Sequence, residues 1–490
     1  MTGRGPGAEQ PGHIPVGRDR WLPVAVAGVL SFVAMLDMNI VNVALANIAD
    51  GLHVSAATAQ WAVLAYQLPL VALLFPVGRW LDGVGARSAV AAATAGFALC
   101  SALAAAAPWA AWLIAARLTQ GVFGAVLFVL MPVLAIRSVR PELRGRAMSV
   151  PATLGPLGAV TGPAVGGLLL DHVGWRAVFL LKIPLCVLAL VVAWRAMPPD
   201  GRPRLPDRRS LVDALLVAGG MAALLLTLTL APDDPGWWVL TLAAVPPLWW
   251  WLRGPGGRPL TGVLRVPGLA RAHGAVLALA AGFAALHYVI ALHLQRDDGV
   301  SATTTGLTVL AFPLGMGLAG PLGGRLADLP HARLPTRCRL RSSGGTPMRG
   351  RTPTGARPTA VAGAMLMAVG LLLLVPLNGD WSPMDVAWRL ALAGVGMGLN
   401  GGPTQALIMG AAPPERTATA GSTIQLARGL GFTLGPALAT AAWSLAGPRH
   451  GVHAGLCLAA VVGSLAVPLL LLPGRRNAAV AQQTADTASP

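Results

Sequence analysis

The sequence predicts an all-α polytopic membrane protein with fourteen transmembrane helices, and three observations predict it. Of 490 residues, 55% are hydrophobic and 11% charged, with a mean hydropathy of +0.64, a balance that excludes a soluble globule. Apolar windows recur near 22–45, 58–77, 88–107, 109–136, 147–170, 177–196, 211–231, 237–252, 272–294, 303–322, 359–377, 387–409, 417–445 and 452–472. Charge is also sorted between the two sides. Threading the windows from a cytoplasmic N-terminus puts 29 of the 36 basic residues on the inner side. Asp50, Asp171, Asp233, Asp234, Asp297, Asp298, Asp380 and Asp385 fall on the outer side. Both termini are therefore expected in the cytoplasm, and the formal net charge of +17 reports topology rather than a nucleic-acid partner.

The first twenty residues are polar and read as a cytoplasmic tail without a cleavable signal. The first helix carries Leu36–Leu45, LDMNIVNVAL, with Asp37 about ten residues from the outer end, roughly 15 Å deep. A carboxylate at that depth faces a cavity or a partner, or is a protonated, hydrogen-bonded structural group. The second helix carries Trp61, Tyr66 and Gln67 as cavity candidates and ends in VGRWLDGVGAR, where Gly78, Asp82, Gly85 and Arg87 mark a tight inner turn. On the fourth helix Arg117, Gln120, Gly121 and Gly124 share one face. Arg117 lies at about the depth of Asp37, and an unpaired arginine there costs about 2.5–3.5 kcal/mol or more, so it needs a partner.

The fifth helix contains GAVTGPAVGG, in which Gly158, Gly162 and Gly166 recur every four residues and admit a neighbouring backbone. Pro163 removes one ladder hydrogen bond, and Gly167 stands off the repeating face. GWRAVFLLKIP, Gly174 to Pro184, opens the sixth helix and holds Lys182, the only lysine of the chain. The eighth window is the shortest; Trp237 and Trp238 at one end and Trp249, Trp250 and Trp251 at the other are expected to form interfacial belts.

The second half echoes the first: GGRLAD, Gly323 to Asp328, repeats VGRWLD, Val77 to Asp82, at an offset of 246. Gly85-Ala86-Arg87 follows Asp82 after two residues, whereas Gly355-Ala356-Arg357 follows Asp328 only after 26. The extra residues are either a tolerated loop insertion or a locally frame-shifted gene region. His287 and His293, six residues apart, point to different faces and read as packing groups more readily than as a relay. Asn400 and Arg428, the latter with Gln425 three residues before it, are further cavity candidates. Cys100, Cys186, Cys338 and Cys457 form neither a disulfide framework nor a metal spacing.

Together these strings resemble the motifs of the major facilitator superfamily, in particular its fourteen-span drug:proton antiporters. GAVTGPAVGG is similar to the antiporter signature GxxxGPxxGG of the fifth helix, and Arg117, Gln120, Gly121 and Ala125 match RxxQGxxxA. Asn39 and Ala46 depart from LDxTxVNVALP, Gly83 stands where a basic residue is common, and Lys182 replaces the Asn of GWRxxFxxNxP. The resemblance implies a major facilitator fold of two six-helix bundles, 21–196 and 271–473, with two additional helices between them at 197–270. Cytoplasmic tails would occupy 1–20 and 474–490, and a basic cytoplasmic insertion 329–354.

It also implies a monomeric exporter in the plasma membrane that exchanges protons for amphipathic or cationic small molecules and needs no cofactor or metal. Asp37 would carry the proton, Arg117 would be its electrostatic partner, and 158–167 would be the hinge. A proton-coupled uptake symporter of the same fold is the alternative, or a transport-defective homologue if the insertion disables the second half. No ATP-binding GxxxxGK[ST] loop occurs, and no clustered polar site suggests an enzyme.

Overall fold

The computed structural model describes residues 19–199, 208–230, 235–266, 268–329, 355–377, 381–412 and 416–472. The two tails (apart from Asp19 and Arg20), the inserted residues 330–354, Cys338 and the outer carboxylates Asp233, Asp234 and Asp380 lie outside the described residues. Helices account for the fold, and no strand occurs among the described residues.

The first half comprises α1 (Trp21–Val43), α2 (Leu45–Leu52), α3 (Ala56–Leu81), α4 (Ala86–Ala105), α5 (Ala110–Arg137), α6 (Arg144–His172), α7 (Trp175–Leu180) and α8 (Lys182–Ala196). Then come α9 (Arg208–Leu230), α10 (Val239–Arg253) and the short α11 (Arg258–Leu264). The second half comprises α12 (Leu269–Leu292), α13 (Ala302–Asp328), α14 (Ala356–Leu372), α15 (Pro383–Ala411), α16 (Thr417–Ser464) and α17 (Ala466–Leu471). Helix covers most of each of the fourteen apolar windows among the described residues. Among the described residues nine helical segments are long and apolar enough by themselves to cross a bilayer. The thirteenth and fourteenth windows are divided inside α16 at Gly447, whose φ of 73° is open to glycine at little cost.

Local signals explain the starts of several helices. Ser55, Ser301 and Ser382 accept hydrogen bonds from the backbone N–H three residues on, and Ser382 completes a capping box with Asp385. The outside of the bundle presents Leu168, Leu215, Leu242 and Leu318, each more than 60% exposed, a surface suited to lipid rather than water.

Packing follows the small residues. Gly158 meets the α1 backbone at Phe32, Gly121 meets Tyr66 of α3, and in the second half Gly394 meets Phe312 and Gly396 meets Met367. The two halves meet at the arginine-rich end. There Gly145, Ser149, Thr153 and Leu157 of α6 oppose Gly324, Gly320 and Gly317 of α13, while Gly78 of α3 lies against Ala418 and Ser422 of α16.

The linking helices dock on the first half. Arg79 of α3 pairs with Asp213 of α9 at 2.5 Å, and Phe75 meets Trp251 edge-to-face at 4.8 Å. Trp251 is therefore only 5% exposed and is a packing residue, whereas Trp249 and Trp250 remain exposed as a belt requires. The difference arises because three consecutive residues of a helix cannot share one face.

The interrupted repeat closes in space. A side chain on Gly355 would meet the carbonyls of Leu326, Ala327 and Leu329 at 2.6–3.0 Å, so the residues that flank the insertion lie against each other. Arg357 then donates to the carbonyls of Leu470, Leu471 and Leu472 at 2.8–2.9 Å, capping the last helix. Its first-half counterpart Arg87 stacks 4.2 Å above the ring of Trp194, near the end of α8. The turn geometry thus survives the insertion. Deleting 330–353 is expected to leave the midpoint of thermal unfolding in detergent within a few degrees of the parent. A variant that inserts poorly or melts far lower would show that the extra residues support the fold.

Candidate functional site

Asp37 projects from α1 into the interior of the first half, where five other helices supply its surroundings. Arg117 Nη1 of α5 donates to Asp37 Oδ1 and Oδ2 at 3.1 and 2.8 Å. Lys182, at the start of α8, donates to Asp37 Oδ1 through its Nζ. Asp37, Arg117 and Lys182 are 0%, 1% and 0% exposed, so one carboxylate is clamped by two cations away from water. Arg117 makes further hydrogen bonds. Arg117 Nε donates to the carbonyl of Ala62 at 2.7 Å, and Nη1 to Gln120 Oε1 at 2.7 Å. Gln120 Nε2 donates in turn to Ser101 Oγ of α4 at 2.8 Å.

Two aromatic rings cover the cluster. The Arg117 guanidinium lies 4.3 Å from the centre of the Tyr66 ring, and Lys182 Nζ lies 4.9 Å from that of Phe179. Cys186, one turn along α8, is buried and free. Of the expected residues, Asp37, Arg117, Gln120 and Tyr66 thus converge. Trp61, five residues before Tyr66, is partly exposed on another face of α3. Asn400 is turned into the α14–α15 seam, where it donates to the carbonyl of Ala360 at 2.7 Å and accepts from Thr404 at 3.0 Å.

Arg428 stands on α16, donating to Gln425 Oε1 at 3.0 Å. His287 Nδ1 donates to the carbonyl of Phe283 at 2.9 Å, and its ring lies tilted against Phe283 and edge-to-face with Phe312, which is a packing environment. His293 lies apart from it, between Asp297 and Asp298.

The loop motif forms a second arrangement, joining the halves. Asp82 accepts from the backbone N–H groups of Ala418 and Thr419 at 2.8 and 3.2 Å, and from Thr419 Oγ1 at 2.5 Å. These groups open α16, so the carboxylate of one half caps a helix of the other. Burial pushes the Asp82 carboxyl above its ordinary value, and the bonds from Thr419 and Ala418 oppose that rise. Asp328, its partner in the repeat, accepts from the N–H groups of Gly145 and Arg146 at 2.8 and 2.9 Å and so caps the start of α6. Gly78 and Gly85 have distinct tasks. A side chain on Gly78 would collide with Ser422, while Gly85 is the residue from which α4 starts.

The glycine ladder of α6 packs on α1. A Cβ on Gly158 would meet Phe32 O at 2.2 Å; on Gly162, Ile40 N at 3.1 Å; on Gly166, Ile40 Cγ1 at 3.0 Å. At Gly167 nothing lies within 4 Å. The helix runs through Pro151, Pro156 and Pro163 without interruption from Arg144 to His172.

The family profile described as Major Facilitator Superfamily matches residues 27–290 and 272–489, nearly the whole chain. The chain belongs to the major facilitator superfamily. It is a multi-pass membrane transporter, not an enzyme. The uncharacterized transporter YebQ of Escherichia coli is 28% identical over 461 residues, covering 91% of this chain and 94% of YebQ. The puromycin resistance protein pur8 of Streptomyces alboniger is 29% identical, covering 86% and 81%. The multidrug efflux pump LfrA of Mycolicibacterium smegmatis is 38% identical over a shorter stretch, 37% of this chain and 36% of LfrA. Two solved structures share the facilitator fold: human MFSD10, with a TM-score of 0.64 at 16% identity, and the proton:xylose symporter XylE, with 0.61 at 14%. Each covers 93% of this chain, which itself covers 100% of the first and 96% of the second.

Sequence reasoning missed two features of this facilitator. Lys182 was visible as a departure from GWRxxFxxNxP, and a lone lysine inside an apolar span requires a counter-charge, which pointed back to Asp37. The crossed caps of Asp82 and Asp328 had their signal in the repeat itself, but a one-dimensional repeat does not say which half each carboxylate serves.

Removing one member of the buried cluster should cost according to what remains. Asp37→Ala leaves two buried cations and is expected to lose roughly 3–5 kcal/mol, whereas Lys182→Ala leaves Asp37 with Arg117 and should cost clearly less. Thermal unfolding of the purified variants in detergent gives the order, and a reversed order would contradict the charge assignment.

Along the ladder, Gly158→Ala should be the most damaging alanine substitution and Gly167→Ala the mildest, with overpacking penalties of about 1–3 kcal/mol at the tight positions. Gly162→Leu should reach the membrane yet exchange poorly, which transport per inserted molecule measures. If that ratio stays constant while abundance falls, the ladder is a packing seam and not a hinge.

Proposed function

We propose that this transporter exports amphipathic small molecules from the cytoplasm across the plasma membrane in exchange for protons, and that it works as a monomer. In this reading six-helix bundles at 21–196 and 271–473 form the moving halves, and α9 and α10 link them as two further spans. The basic end faces the cytoplasm with both termini, in line with the sorting of arginine toward that side. The relatives named for puromycin resistance and multidrug efflux support the direction of transport.

The observation that carries the coupling is the Asp37 carboxylate held between Arg117 and Lys182 at 0% exposure. Protonating Asp37 removes the only negative charge of the cluster and leaves two cations in a medium that penalises them by several kcal/mol each. Relief comes from hydrating the site, which requires the helices around it to part. The proton thereby favours a different arrangement of the halves from the one in which Asp37 is ionised.

The Asp82 and Asp328 caps act as latches in this cycle. They join the halves at the basic end, so the state described corresponds to a molecule closed toward the cytoplasm. Releasing substrate and reloading require these caps to open, and the glycines around them let the halves close again backbone to backbone.

Asp37→Asn keeps a side-chain acceptor for Arg117 and Lys182 and is expected to abolish proton-driven efflux per inserted molecule in proteoliposomes, even where the lost charge lowers its abundance. Wild-type exchange by that variant would sink the coupling assignment. Uptake in place of efflux by vesicles of defined orientation would favour a symporter.

A further inference from the structure

The ionisable side chains described at mid-span depth do not balance. Asp37 is already engaged by Arg117 and Lys182, so the first half holds one carboxylate and two cations. The second half adds Arg428, which has the Gln425 amide oxygen at 3.0 Å and, among the described residues, no carboxylate in a salt bridge. A guanidinium carries five N–H donors, and one amide oxygen answers only part of them.

Helix geometry says where Arg428 lies. Gly421 packs on Val129 and Pro132 of α5, with Pro132 Cγ 3.2 Å from the position of a Cβ, which marks the face of α16 turned toward the first half. Gln425, Arg428 and Phe432 follow at four, seven and eleven residues, all on that face. Gly435, seven residues past Arg428 on the same face, meets Ala281 and Ala285 of α12, and Gly431 beside it meets Leu277 and Ala281, so this face of α16 borders α12 as well as α5. Phe432 lies 5.7 Å from Phe283, whose ring stacks on Phe312 at 4.7 Å and on His287 at 4.0 Å. A cation, an amide and an aromatic wall therefore sit together along one face of α16, which borders α5 of the first half at Gly421 and α12 of the second at Gly435.

We propose that the substrates are amphipathic acids, whose anionic group docks on Arg428 and Gln425 while the apolar body rests on the wall of Phe283 and Phe432. The proposal rests on the export reading and narrows its substrate class. Cationic drugs, expected from the sequence resemblance, need an intramembrane carboxylate open to them. Asp37 is the one carboxylate described at that depth, and two cations of the protein already hold it. A planar guanidinium instead matches a carboxylate or sulfonate with two parallel hydrogen bonds.

Fluorescein and rhodamine 6G test this, because they share a xanthene body and carry opposite charge. Binding to the purified full-length protein in detergent is read by fluorescence anisotropy, with size-exclusion profiles showing that each variant is folded. Fluorescein should bind more tightly than rhodamine 6G. Arg428→Gln should weaken fluorescein about tenfold or more and leave rhodamine 6G unchanged, and Arg428→Lys should fall between. On the wild-type protein alone, octanoate should displace fluorescein and octyltrimethylammonium should not.

Tighter binding of rhodamine 6G, binding of neither dye, displacement by the cation alone, or fluorescein binding that survives Arg428→Gln would each overturn the proposal. Binding needs no proton gradient, so loss of the acid preference leaves proton-driven export standing. Acid binding without gradient-driven transport in proteoliposomes would overturn the export reading and leave the acid site in place.

Discussion

A charge inside a membrane must have a partner, and that constraint organises the first half of this transporter. Asp37, Arg117 and Lys182 come from three helices, and Gln120, Ser101 and the carbonyl of Ala62 complete their hydrogen bonding. None of these groups could be buried alone without a cost of several kcal/mol. The cluster therefore holds α1, α3, α4, α5 and α8 in one register. The rings of Tyr66 and Phe179 close it from water and add cation–π contacts where a further hydrogen bond has no room.

The junction between the halves solves a different problem. Where the halves meet at the arginine-rich end, much of the contact is glycine, serine, threonine and backbone, with Leu157 beside them. Gly78 against Ala418 and Gly324 against Gly145 allow approach to van der Waals distance. Asp82 and Asp328 then supply direction, because each carboxylate is satisfied by groups at the start of a helix of the opposite half. The arrangement is reciprocal, as the internal repeat requires. It also survives 24 extra residues, since Leu329 and Gly355 still meet at the end of α13.

The two charged arrangements answer to different surroundings. The caps stand at the ends of spans, where water can take over their hydrogen bonds once the halves part. The Asp37 cluster lies where no such substitute exists until the helices rearrange. A change of charge on Asp37 therefore has consequences for every helix of the cluster, whereas a cap bond lost at the end of a span can be replaced by water.

Much of this was legible in the amino-acid order. Hydropathy located the long helices, because a bilayer imposes a minimum apolar length. The sorting of arginine pointed to topology, and the spacing of Gly158, Gly162 and Gly166 announced a close helix contact that α1 supplies. Similar depths of Asp37 and Arg117 implied their pairing, since distance along a helix converts directly into depth. Depth says nothing of azimuth or of which helices are neighbours, and these belong to the tertiary structure alone. Packing decided that Lys182 shares Asp37, that Asn400 faces α14, and that Trp251 is buried while Trp250 is not. It decided, too, that the repeated aspartates cross between halves. A sequence records the period of each helix, but only the packed bundle fixes the rotation of one helix against another.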